Sequence, residues 1–171
     1  MRALVILLAA ALLVGCTSRQ TGDEVAYPLL TVTSPAFGEN EKIPADYTCD
    51  GFDISPQLNI SGIPDGTVSL ALIVEDPDAP LGVWDHWIVY NIPPAGVIGK
   101  NSTTGTEAVN SFGRKSYGGP CPPFGTHRYV FSAYALDTQL SLGDAAGKRE
   151  VLEAMRGHIL AKGRLTGVYN H

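Results

Sequence analysis

The sequence predicts a β-rich single domain with one helix near its C-terminus. Three observations carry that reading. Nineteen glycines and twelve prolines in 171 residues break the chain too often for a helical bundle or coiled coil. Three runs of β-branched and aromatic residues, 68–74, 87–92 and 129–136, are bounded by turn residues. Only one segment, beyond residue 148, repeats its apolar positions at the helical period. Apolar residues make up 44% of the chain and charged ones 17%, which suits a packed core and argues against global disorder. Twelve Lys and Arg against seventeen Asp and Glu give a net charge of -5, with no basic cluster. That excludes a generic nucleic-acid surface.

The first element is an address. Met1-Arg2 supplies a positive charge, and Ala3 to Val14 is an apolar run too short to span a bilayer but right for a signal-peptide core. It ends in Leu13-Val14-Gly15-Cys16, which resembles a bacterial lipobox, whose cysteine is lipidated and becomes the mature first residue. Ordinary secretory cleavage nearby, with Cys16 incidental, is the alternative. On the lipobox reading, 1–15 is a lipoprotein signal peptide, 16–28 a lipidated tether and 29–171 the domain. The protein is then held on a membrane of the bacterial cell envelope, facing periplasm or exterior. Thr17 rather than Asp after the cysteine leans toward the outer membrane in a Gram-negative source. Lipid on Cys16 leaves Cys49 and Cys121, a candidate disulfide in an oxidising compartment; two reduced cysteines packed as small apolar groups are the alternative.

Within the domain, Leu29 to Thr33 is a short strand-like run, and Asp50 to Asp65 reads as loop with a brief strand at Gln57 to Ile60. Val68 to Val74 is almost continuously apolar, as a strand buried on both faces would be. Pro93 to Thr126 is a long Gly/Pro-rich excursion, and loops of that length are more often functional than decorative. Val151, Leu152, Met155, Ile159 and Leu160 share one helical side; Asp144 is placed to cap that helix and Gly163 to end it. Leu165 to Tyr169 reads as a final strand.

Chemistry sits in three places. Asp76-Pro77-Asp78-Ala79-Pro80 follows the buried strand, and alternation puts Leu70, Leu72, Val74, Asp76 and Asp78 on one face. Trp84-Asp85-His86-Trp87 opens the next strand, where alternation places His86 with Ile88 and Tyr90. The stretch from Gly118 to Tyr129 feeds the third strand and puts His127, Tyr129 and Phe131 on one face. Antiparallel pairing of consecutive strands then brings Asp76, Asp78, His86 and His127 to one end of the sheet, beside a loop with free backbone amides. Each piece has a plain structural alternative: a proline turn with solvated aspartates, or a satisfied structural histidine.

Taken together, Asp76-Pro77-Asp78-Ala79-Pro80, His86-Trp87 and the Gly-Pro-x-Pro-Pro-x-Gly-x-His-Arg-Tyr stretch ending at Tyr129 resemble the phosphatidylethanolamine-binding protein family. Cys49-Asp50-Gly51, Ile54-Ser55-Pro56 and Gly157-His158-Ile159-Leu160-Ala161 resemble its bacterial Raf-kinase-inhibitor-like branch. The resemblance spans Leu29 to Tyr169. It implies an antiparallel β-sandwich with short peripheral helices and a small anion pocket at one end. Carried over residue by residue, that pocket uses Asp76, Asp78, Pro80, Trp84, His86, Gly119, Pro122, Pro123, His127 and Tyr129. The segment before His86 is shorter than in eukaryotic members, and Cys121 stands where they often have glycine.

Such a pocket suits a phosphate-containing ligand, a phospholipid head group or a phosphorylated small molecule or side chain. Imidazolium would attract the phosphate; the second carboxylate or the face of Trp84 would hold an ammonium group. The expectation is a non-catalytic binding module without cofactor or metal. The rivals are an inhibitor or modulator of an envelope or host protease or signalling protein, and an Asp/His-based hydrolase. The chain has no G-x-S-x-G or H-E-x-x-H motif to favour the hydrolase.

Overall fold

A computed structural model describes residues 27–102 and 104–171. The signal segment, Cys16 and nearly all of the tether lie outside the described residues. The strands are β1 (Thr31–Thr33), β2 (Glu41–Lys42), β3 (Leu58–Ser61), β4 (Ser69–Asp76), β5 (Trp84–Ile92), β6 (Val97–Ile98), β7 (Thr106–Glu107), β8 (His127–Leu136) and β9 (Ile159–Tyr169), with one helix, α1 (Lys148–Met155), among the described residues. They form a six-stranded sheet in the order β2-β9-β8-β4-β5-β7 and a three-stranded sheet in the order β1-β3-β6. Every named pairing is antiparallel except β2 with β9, which is parallel.

The apolar pattern explains the layers. On one face of the large sheet, Leu70, Leu72, Val74, Trp87 and Phe131 pack against Val32, Leu58, Ile60 and Ile98 of the small sheet. On the other face, Ala71, Ile73, Ile88 and Tyr90 pack against Val151 and Met155 of α1. β4 is therefore covered on both sides, and Glu75 alone in it escapes full burial. That is why its sequence is apolar without alternation.

The C-terminal segment departs from the helix read in the sequence. α1 ends at Met155, Gly157 takes a positive φ of 77°, and Ile159 already belongs to β9. β9 pairs along the whole of β8, from His127 opposite Tyr169 to Leu136 opposite Ile159. Two apolar residues at the start of a buried strand mimic one more helical turn, and a period count cannot separate them. Gly163 ends nothing: it lies within β9, where a Cβ would come 2.0 Å from the Leu30 carbonyl oxygen. Nor does Asp144 cap the helix. The Glu150 carboxylate accepts the Gly147 N–H at 3.1 Å instead. Among the described residues, the long excursion contains only the two-residue strands β6 and β7.

Candidate functional site

β4 runs antiparallel to both of its neighbours, so its C-terminal end meets the start of β5 and the start of β8. Asp76 stands opposite Trp84, and Glu75 opposite Val130. Alternation carries Asp76, His127 and Tyr129 onto the face that packs against the small sheet. Asp76 Oδ2 accepts a hydrogen bond from His127 Nδ1 at 2.7 Å, and both side chains are 5% exposed. Asp76 Oδ1 accepts the Asp78 backbone N–H at 2.8 Å. An ionised carboxylate only accepts, so Nδ1 carries the proton, and His127 keeps Nε2 for another partner.

His86 arrives on that same face by a different route. Val74 pairs with Trp87 and Glu75 with Asp85, so His86 is an extra residue on β5. Strict alternation would place it with Ile88 and Tyr90; the β-bulge swings it instead toward Tyr129 and Phe112, its ring edge-on to theirs at 5.2 and 5.4 Å. Its Nδ1 donates to the Gly118 carbonyl at 2.6 Å, which again leaves Nε2. Burial pushes the His86 imidazole below its ordinary pKa, against the opposing pulls of the Gly118 carbonyl and the Asp76 charge. At neutral pH this ring is therefore uncharged. Beneath the rings, Tyr129 is 1% exposed, and its hydroxyl is the buried side-chain atom left without a hydrogen-bond partner among the described residues. Burial raises its pKa far out of the working range, so it stays a hydroxyl.

Two amides of the loop wall, expected to be free, are taken. The Gly118 N–H donates to the His86 carbonyl at 3.2 Å, and the Gly119 N–H to Asp53 Oδ1 at 2.5 Å. Pro120, Pro122 and Pro123 have no N–H to give. Gly119 is fixed by space as well, because a Cβ there would lie 2.6 Å from the Tyr47 carbonyl oxygen. Asn110, buried, donates to the carbonyls of His86 and Ser116 and accepts from the Phe112 and Arg114 amides. Cys49 and Cys121 form a disulfide with Cα atoms 5.5 Å apart, and the Cys49 N–H donates to the Pro120 carbonyl.

Asp78, expected to be available to a ligand ammonium, is taken. Arg128 grips it through its backbone N–H, Nε and Nη2 at 2.9, 2.9 and 2.6 Å. That hold keeps the Asp78 carboxyl at about 2. Trp84, half-buried, meets the edge of Phe112 at 5.5 Å. Pro122 is buried, whereas Pro80 and Pro123 are exposed. The structure thus gathers Asp76, His86, His127 and Tyr129 into one cluster with Trp84 at its edge, and ties Asp78 and Gly119 to other partners. Sequence reasoning passes over Asn110, Phe112 and Asp53, which position the cluster, and Arg128, although Arg128 stands inside a quoted motif. The larger of the two cavities described, about 920 Å³, lies away from this cluster, against β1 and Lys162–Leu165.

A sandwich whose strand ends gather two histidines, a buried aspartate and a tyrosine defines a class, and comparison with known proteins gives it a family. The profile described as phosphatidylethanolamine-binding protein matches residues 33–170, and the chain belongs to that family. A UPF0098 protein of Methanothermobacter thermautotrophicus is 45% identical over 148 residues, covering 82% of this chain and 98% of the relative. The crystal structure of a phosphatidylethanolamine-binding protein homologue, CT736, from Chlamydia trachomatis superposes with a TM-score of 0.81 at 43% identity, covering 84% of this chain and 98% of the other. YbcL of E. coli, described as a member of the mammalian family, gives 0.76 at 30% identity, covering 83% and 98%.

Proposed function

We propose that the cluster at the β4, β5 and β8 ends binds a phosphate-containing ligand and leaves it chemically unchanged. One observation carries the reading: two buried imidazoles have Nδ1 committed, to Asp76 and to Gly118, and Nε2 left over, beside an unpartnered Tyr129 hydroxyl. The Tyr129 hydroxyl can donate as it stands, and each Nε2 becomes a donor once its ring is protonated, so the cluster suits an anionic ligand rich in oxygen acceptors. His86 is neutral before binding and must take up a proton to donate to a phosphate oxygen. Binding and protonation are therefore linked. The anionic phosphate supplies the charge that makes protonating a buried ring favourable. The thiols that could have served as nucleophiles, Cys49 and Cys121, are joined to each other.

In this reading the protein is an envelope lipoprotein, anchored through Cys16, and the domain presents its site from a membrane surface. Membrane fractionation and terminal mass spectrometry of wild type and Cys16→Ser test the anchor. Calorimetry with O-phosphoethanolamine, inorganic phosphate and a phosphoserine peptide tests the site and separates the ligand classes. Binding that is lost in the His86→Ala, His127→Ala double variant, with the fold intact by circular dichroism, is the expected result. Binding unchanged in that variant would place the ligand elsewhere.

A further inference from the structure

We propose that Cys49, Cys121 and His171 form a zinc site that opens when their disulfide is reduced. All three side chains are exposed, and one ligand atom from each lies within 4.8 Å of the others. The two cysteine Cα atoms are already 5.5 Å apart. His171 does not wander beside them: its Nδ1 sits 2.9 and 3.1 Å from the two Asp50 carboxylate oxygens. Asp50 is itself held, accepting the Tyr169 hydroxyl at 2.5 Å, and Tyr169 is the last residue of β9, paired with His127. A carboxylate fixing one nitrogen of an imidazole, with the other nitrogen turned to a metal, is the usual support of a metal-binding histidine. Here that support exists in the folded chain beside two sulfurs.

The donor set selects the metal. Two thiolates and one imidazole suit zinc and do not suit magnesium or calcium, and water completes a tetrahedron. A tetrahedral zinc holds such atoms roughly 3.5–3.8 Å apart, a spacing that three groups already within 4.8 Å of one another can reach by small shifts, while the bonded sulfurs separate. Separation requires the Sγ–Sγ bond to break. An external dithiol supplies two electrons and two protons, giving two thiols here and a disulfide on the reductant. Zinc then displaces the thiol protons into solvent. Disulfide and zinc are thus mutually exclusive clasps between the same two segments, the Cys49–Gly51 turn and the Gly118–Thr126 loop. This inference does not depend on the phosphate reading.

The test uses the full chain with Cys16→Ser, so that only two thiols remain. The oxidised form is compared with one reduced by a dithiol and then freed of it under anaerobic conditions. Each is titrated with zinc, and with cobalt as a spectroscopic probe. The reduced chain is expected to bind one zinc per chain and to give a thiolate-to-cobalt charge-transfer band; the oxidised chain gives neither. His171→Ala, at an exposed position, is expected to weaken zinc binding at least tenfold while the sheet signal in circular dichroism is unchanged. Equal binding by oxidised and reduced chains overturns the proposal, as does zinc affinity unaltered by His171→Ala. A reduced chain that binds no zinc, folded or not, overturns it too.

Discussion

Asp76 and His127 stand on adjacent strands, β4 and β8, whose backbones are paired from Ser69 opposite Leu136 to Glu75 opposite Val130. Gly118 and Cys121, across the cluster, belong to a segment with no ladder of its own. Side chains hold that segment from outside: Asp53 on the Gly119 amide, Asn110 on the Ser116 carbonyl just before it, and the disulfide to Cys49. The two walls are stabilised by different means. A strand wall resists single substitutions because many backbone bonds share the load. A loop wall depends on a few contacts, each of which can be removed alone.

The largest expected effect is on the loop wall. Cys49→Ser opens a link between residues 72 positions apart, and in the chain-entropy view this costs about 4 kcal/mol. Urea unfolding measures the loss, and amide exchange locates it. The Gly118 and Gly119 amides should lose protection while β4, β8 and β9 keep theirs; equal loss in both would erase the distinction between the walls.

On the strand wall, His127→Ala strands the Asp76 carboxylate, 5% exposed, without its partner, at a cost of about 3 kcal/mol. Adding Asp76→Asn should recover part of that, because the buried charge is then gone. A double variant no more stable than His127→Ala would mean that the pair matters by packing alone. Gly119→Ala comes next. A Cβ 2.6 Å from the Tyr47 carbonyl oxygen must displace backbone, at about 2 kcal/mol. The smallest effect is at Asp78, whose pair with Arg128 is half in solvent. Its carboxyl lies at about 2, below the ordinary 3.8. Its contribution is therefore present above about pH 4 and fades as pH falls toward 2. Asp78→Asn should remove that acid-limb component of the stability curve and change little at neutral pH.

The strand wall is legible in the sequence because alternation states which residues share a face. Leu70 to Asp76 and His127 to Phe131 are assigned by it correctly. His86 is misplaced by one residue's worth of register, since a bulge leaves no mark in a two-residue period. The loop wall is harder. Its glycines and prolines announce an irregular segment, and counting cysteines suggests the bridge. The Gly118 and Gly119 amides nevertheless look free in the sequence because their partners, the His86 carbonyl and Asp53, are set by tertiary folding. Arg128 reads as part of a motif and not as the counter-ion that removes Asp78 from the site.

On the proposed reading, a neutral, buried His86 becomes the donor to a bound phosphate. The direct measurement is the imidazole titration of His86 by nuclear magnetic resonance, with and without saturating O-phosphoethanolamine. Without ligand, its pKa should lie below the ordinary 6.5, because burial dominates. With ligand it should rise, so affinity is full below the free-state value and falls as pH climbs from there toward the bound-state value. Identical His86 titrations in the two samples, with the ligand demonstrably bound, would mean that His86 is not the donor.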